Sequence, residues 1–146
     1  MAVQSNILVV SDLHFGEELL PGAGRERRHA IELGARVFRE FLAHHGPRRH
    51  DGRPWRLVIA GDLFDFMSTY VASTRDRPAK TADERRFGLS RSVKTGALRM
   101  RMICEAHRPL LAELGKFAAM GHSIDIVVGN HDVELAPFSP RQRPAP

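Results

Sequence analysis

Three short apolar runs divide the chain: Asn6-Ile-Leu-Val-Val10, Arg56-Leu-Val-Ile-Ala60 and Ile124-Asp-Ile-Val-Val128. Each is rich in β-branched residues and near-continuously hydrophobic, which predicts strands covered on both faces. Between the first two, Ile31, Ala35, Phe38 and Leu42 recur at helical spacing, with Val37 and Phe41 widening the stripe. That spacing predicts a helix over Arg25–His44. His44-His45-Gly46-Pro47 stops it, because Gly and Pro continue a helix poorly. After the second run, Val93, Ala97, Met100 and Cys104 share one face of a helix over Ser92–Ala106. Pro109 suits the first turn of a further helix through Leu110, Leu111, Leu114, Phe117 and Ala118, and Gly121 fits its C-terminal cap. The order strand, helix, strand, helices, strand predicts an α/β fold of βαβαβ form around a parallel sheet.

Two stretches break this rhythm. Ser68–Ser90 is polar and basic with weak periodicity, and reads as a loop or insertion near the strand ends. Pro137–Pro146 holds four of the nine prolines and reads as a disordered tail, leaving residues 1–136 as one domain. A chain of 146 residues buries a core without a metal or disulfide staple. The one cysteine, Cys104, excludes an intramolecular disulfide and suits a small core position. The N-terminus shows no basic segment followed by an apolar stretch, and no apolar run reaches the ~20 residues of a membrane span. The expectation is a soluble, cytoplasmic protein.

Charge changes the picture in one place. The net charge is +5, and Arg75–Arg101 alone, with nine Lys/Arg against Asp76, Asp83 and Glu84, carries +6. Such a segment favours phosphate, nucleic acid or an anionic lipid surface, and a solvated helix face is the plain alternative.

The chemistry-bearing residues follow the apolar runs. Ser11-Asp12-Leu13-His14 comes after the first, Gly61-Asp62-Leu63-Phe64-Asp65 after the second, and Gly129-Asn130-His131-Asp132 after the third. In a parallel sheet the carboxyl ends of all strands share one edge, where ligands bind in open α/β folds. Four carboxylates gathered there repel one another unless a cation intervenes. Carboxylate, imidazole and amide oxygen together suit Mn²⁺, Fe²⁺ or Zn²⁺. Asp12 and His14, two apart in an extended segment, would point the same way and grip one ion. Gly61 and Gly129 would let the backbone turn sharply off the strand beside it. Gly-Asn-His-Asp arises by chance on the order of 10⁻³ times in such a chain.

These three motifs resemble the first three of the calcineurin-like metallophosphoesterase superfamily, across Asn6 to Asp132. The wording of the first two is similar to the branch containing UDP-2,3-diacylglucosamine hydrolases. The resemblance implies the N-terminal βαβαβ portion of an α/β sandwich whose C-terminal sheet is missing. It implies that Asp12 and His14 bind a first metal, Asp62 bridges two, and Asn130 binds the second. His131 would face the leaving group, with Asp132 orienting it, while Asp65 supports the loop. The implied reaction is hydrolysis of a phosphorylated substrate (a small molecule, nucleotide or lipid precursor) by hydroxide held between two divalent ions.

The family goes on to three further histidines, and Pro137–Pro146 has none. His29, His44, His45, His50 and His107 read as surface residues on helices or outer loops. His122 precedes the third strand and so lies at the wrong edge. The expectation is a chain incomplete at its C-terminus that holds one ion or none well, and is weak or inactive alone. Two rival readings are a non-catalytic remnant of the fold and a basic binding module led by Arg75–Arg101.

Overall fold

The computed structural model describes residues 4–71, 78, 81–87, 93–133 and 135. The Pro-rich tail and much of the basic segment lie outside the described residues. Strand β1 spans Asn6–Val10, helix α1 Arg25–His45, strand β2 Trp55–Ala60, helix α2 Ala82–Phe87, helix α3 Val93–Ala106, helix α4 Arg108–Ala119 and strand β3 Ser123–Val127. A single 3₁₀ turn, Glu17–Leu19, precedes α1. The strands form one parallel sheet in the order β1-β2-β3. The α/β class and the three strand positions agree with the periodicity of the sequence, to within a residue at each end.

The core lies between one face of the sheet and the helices. Leu57 and Ile59 of β2 are fully buried against Phe38 and Leu42 of α1, Ile103 of α3, and Leu110, Leu114 and Phe117 of α4. In α1 and α4 these are the expected stripe residues, whereas α3 is turned so that Thr95, Arg99 and Ile103 are buried, Ala97 is exposed and Cys104 is only half-buried. The area withdrawn from water is the main term holding the layers together. No described helix is long and apolar enough to cross a membrane.

Two expectations change. The strands read as covered on both faces, but among the described residues only one face is covered. Ile7 and Val9 on the other face are 61% and 63% exposed. Val58 and Val127 lie on that face too, with Arg56 and Asp125 ion-paired at 2.5 Å between β2 and β3. Within the segment read as a loop, Ala82–Phe87 is helical. Its start is a capping box: the Glu84 N–H donates to Thr81 Oγ1 at 3.0 Å, and the Thr81 N–H donates to Glu84 Oε2 at 3.2 Å. Thr81-Ala-Asp-Glu84 is the signal that weak hydrophobic periodicity concealed.

Candidate metal centre

Beyond their ends the strands do not disperse. The loop after β1 is zipped to the loop after β2 by backbone bonds. The N–H groups of Leu13 and His14 both donate to the Asp62 carbonyl, at 3.0 and 2.9 Å, and Phe15 donates to Leu63 at 3.1 Å. The loop after β2 is tied in turn to the loop after β3, where the Phe66 N–H donates to the His131 carbonyl at 3.1 Å. Buried Phe15, Leu63, Phe64 and Phe66 sit beneath these loops and join them to the core. The three motifs therefore meet at the carboxyl edge.

The backbone there is strained. Among the described non-glycine residues, positive φ occurs at Asp12 (54°), His14 (48°), Asp51 (51°) and Asp62 (52°). Left-handed backbone costs an L-residue roughly 1–2 kcal/mol, and such strain concentrates at functional sites. Three of these positions are candidate ligands. Asp12 and His14 are thus not two steps along an extended segment. Left-handed bends at both bring His14 Nε2 to 4.0 Å from Asp12 Oδ1.

The glycines divide their duties. Gly61, at φ 92°, turns the chain off β2 as its residue type suggests. Gly129 has no positive φ, and is required for space. A Cβ there would lie 2.3 Å from Asp62 Oδ1 and 2.6 Å from the Asp62 nitrogen. The packing of Asp62 against bare backbone is what sets the third loop beside the second.

Two clusters result. Asp12, His14 and Asp62 each offer a ligand atom within 4.8 Å of the others, and so do His14, Asp65 and His131. The first is the donor set expected for one ion, and two carboxylates with an imidazole fit a borderline-hard divalent cation. Asp62 is held from behind, since its Oδ1 accepts the His131 N–H at 2.9 Å. Asn130 stands exposed in the third loop, at the same edge.

Asp132 differs from expectation. It is fully buried, and its carboxylate accepts the Leu63 N–H on Oδ2 at 2.9 Å and the Gly129 N–H on Oδ1 at 2.5 Å. It staples the second loop to the third. The carboxylate beside the His131 ring is that of Asp65, with Oδ1 3.4 Å from Nδ1. Asp65, 2% exposed, also supports its own turn by accepting the Ser68 N–H at 2.8 Å. The pairing of Asp65 with His131 was missed because it joins residues 66 positions apart, and only the register of the loops reveals it.

The other histidines sort by packing. His29, His44 and His50 are exposed as expected, while His45 is half-buried against Trp55. Burial first, then the neighbouring positive charge of His44 and Arg48, lowers the pKa of His45. His107 is not a surface residue. It is 8% exposed and paired with Glu18 at 2.7 Å. Burial pushes the Glu18 carboxyl up, but its hydrogen bonds, led by that from His107, outweigh this and hold the pKa below the ordinary value. Glu18 Oε2 also accepts the Gly16 N–H at 3.0 Å, which anchors the end of the first loop. His122 serves the opposite edge: its Nδ1 accepts the Trp55 N–H and its Nε2 lies 2.7 Å from the Gly46 carbonyl. Burial and neighbouring Glu105 raise the Cys104 pKa, which suits a packed thiol rather than a nucleophile.

No family model, curated protein or solved structure matches the chain.

Proposed function

We propose that the chain is a metal-dependent phosphoester hydrolase of the calcineurin-like type. The observation that supports this most is the convergence of Asp12, His14 and Asp62 within 4.8 Å, on backbone strained at all three positions. In this reading Asp12, His14 and Asp62 would hold one divalent ion, and Asp62 with Asn130 would hold a second. Bound there, the ions would supply activation of water and neutralisation of phosphoryl charge. His131, with its side chain 32% exposed at the cluster, would give a proton to the leaving oxygen, with the Asp65 carboxylate 3.4 Å from its Nδ1. Asp132 fixes the loop geometry.

The described residues offer three ligands to the first ion and two to the second. Calorimetry with Mn²⁺ is expected to show one well-held ion that Asp62→Ala abolishes and Asp65→Ala weakens less. With so few ligands for the second ion, turnover of an aryl phosphodiester is expected to be slow and lost with chelator. The reverse order of the two variants, or Mn²⁺ binding indifferent to Asp62, sinks the reading.

A further inference from the structure

That mechanism gives His14, Asp65 and His131 separate roles and leaves their convergence as a second donor set unexplained. Its members differ from the first in kind: two imidazoles and one carboxylate, instead of two carboxylates and one imidazole. His131 Nδ1 is buried and has no hydrogen-bond partner among the described residues. It lies within ion-pair range of Asp65 Oδ1, at 3.4 Å, but off the hydrogen-bond direction. A buried nitrogen left in that state requires an explanation. Asp65, 2% exposed, is among the least solvated carboxylates of the chain, so a charge partner at this spot is worth most to it. The His14 and His131 rings meet edge to face, with centroids 4.6 Å apart.

The spacing suits a metal. Two ligands about 2.0–2.1 Å from a tetrahedral ion lie roughly 3.4 Å from each other. Asp65 Oδ1 and His131 Nδ1 already stand at 3.4 Å. His14 completes the set, since it, Asp65 and His131 each offer a ligand atom within 4.8 Å of the others. Two imidazoles and a carboxylate leave the fourth position to water, and this donor set suits Zn²⁺ better than the harder Mn²⁺.

We propose that His14, Asp65 and His131 form a second, nitrogen-rich site that takes Zn²⁺ and shares His14 with the Asp12–His14–Asp62 cluster. Because one imidazole serves both, the two occupancies compete. Zn²⁺ in the second site withdraws His131 from proton transfer and His14 from the first ion. That inhibitory consequence rests on the hydrolytic reading, whereas the site itself does not.

The test is metal binding by the protein, followed by calorimetry with Zn²⁺ and by the visible bands of Co²⁺ as a spectroscopic substitute. Three variants separate the clusters: His131→Gln, Asp65→Asn and Asp12→Asn. Asp65→Asn keeps an oxygen to accept the Ser68 N–H. Mn²⁺ binding reports that His131→Gln and Asp65→Asn remain folded, and thermal melting in chelator reports the same for Asp12→Asn. His131→Gln and Asp65→Asn are expected to weaken Zn²⁺ at least about tenfold and to abolish the tetrahedral Co²⁺ bands, leaving Mn²⁺ within about threefold. Asp12→Asn is expected to weaken Mn²⁺ and leave Zn²⁺ within about threefold. Zn²⁺ affinity that falls with Asp12→Asn, that ignores His131→Gln, or that is absent from the wild type overturns the proposal. Loss of the hydrolytic reading alone, with Zn²⁺ still following His131, leaves it standing.

Discussion

Asp12 illustrates how a single residue separates function from stability. Its side chain is 70% exposed, its φ is 54°, and the His14 Nε2 is 4.0 Å from its Oδ1. A residue so placed contributes little to folding and bears a conformational cost that glycine lacks. Asp12→Gly is therefore expected to leave the metal-free protein as stable as before, or more stable by up to about 1 kcal/mol, while removing Mn²⁺ binding. Urea denaturation in chelator checks the first part, and a loss above about 1 kcal/mol contradicts it. Glu18 behaves in the opposite way. Its pKa is lowered on folding, so its stabilisation is complete above the unfolded carboxylate range and is lost as the pH falls through the lowered folded value. Melting followed from about pH 5 to 3 is expected to fall more steeply for the wild type than for Glu18→Gln. Parallel curves would mean that the His107 pair does not carry this dependence.

At the scale of elements, the site is a property of three loops held in register. Asp132 carries much of that register, since one buried carboxylate accepts N–H groups from the second and third loops. Asp132→Ala removes the acceptor of a buried and a part-buried donor, at a cost of roughly 2–4 kcal/mol. Both Mn²⁺ binding and thermal stability are expected to fall together, unlike in Asp12→Gly, where only binding falls. Stability unchanged to within about 0.5 kcal/mol would show that water replaces the carboxylate. Helix α2 shows what periodicity alone misses. Six residues supply too few turns for a hydrophobic stripe to be visible, and the side-chain to backbone bonds of Thr81 and Glu84 specify its start instead.

For the whole molecule, the sheet face left uncovered among the described residues bears on association. Ile7 and Val9 stand exposed on a parallel sheet, an architecture that normally has helices or a second sheet on both sides. Exposed apolar surface of this kind drives association. Light scattering is expected to show association that rises with protein concentration and is reduced by Ile7→Thr with Val9→Thr. Those changes should move the melting temperature by less than about 3 °C, because neither side chain belongs to the core. An unchanged association constant would direct attention to another surface.

Strand and helix positions were legible because each rests on local periodicity. The runs at Ile7, Leu57 and Ile124 and the stripe from Ile31 to Leu42 carry their structure in adjacent residues. Parallel topology followed from their alternation, and that topology alone placed Asp12, His14, Asp62, Asn130 and His131 at one edge. Which of them touch was not legible. The left-handed bends at Asp12, His14 and Asp62, the bare backbone of Gly129 against Asp62, and the choice of Asp65 rather than Asp132 beside His131 all arise from packing one loop on another. Such contacts join residues dozens of positions apart, and a strained backbone persists only where its surroundings impose it. The sequence alone determined the elements, their order and the edge at which the polar residues gather, since these depend on neighbours along the chain. Tertiary structure decided the partners within the site, because those depend on the register between loops, which no local pattern encodes.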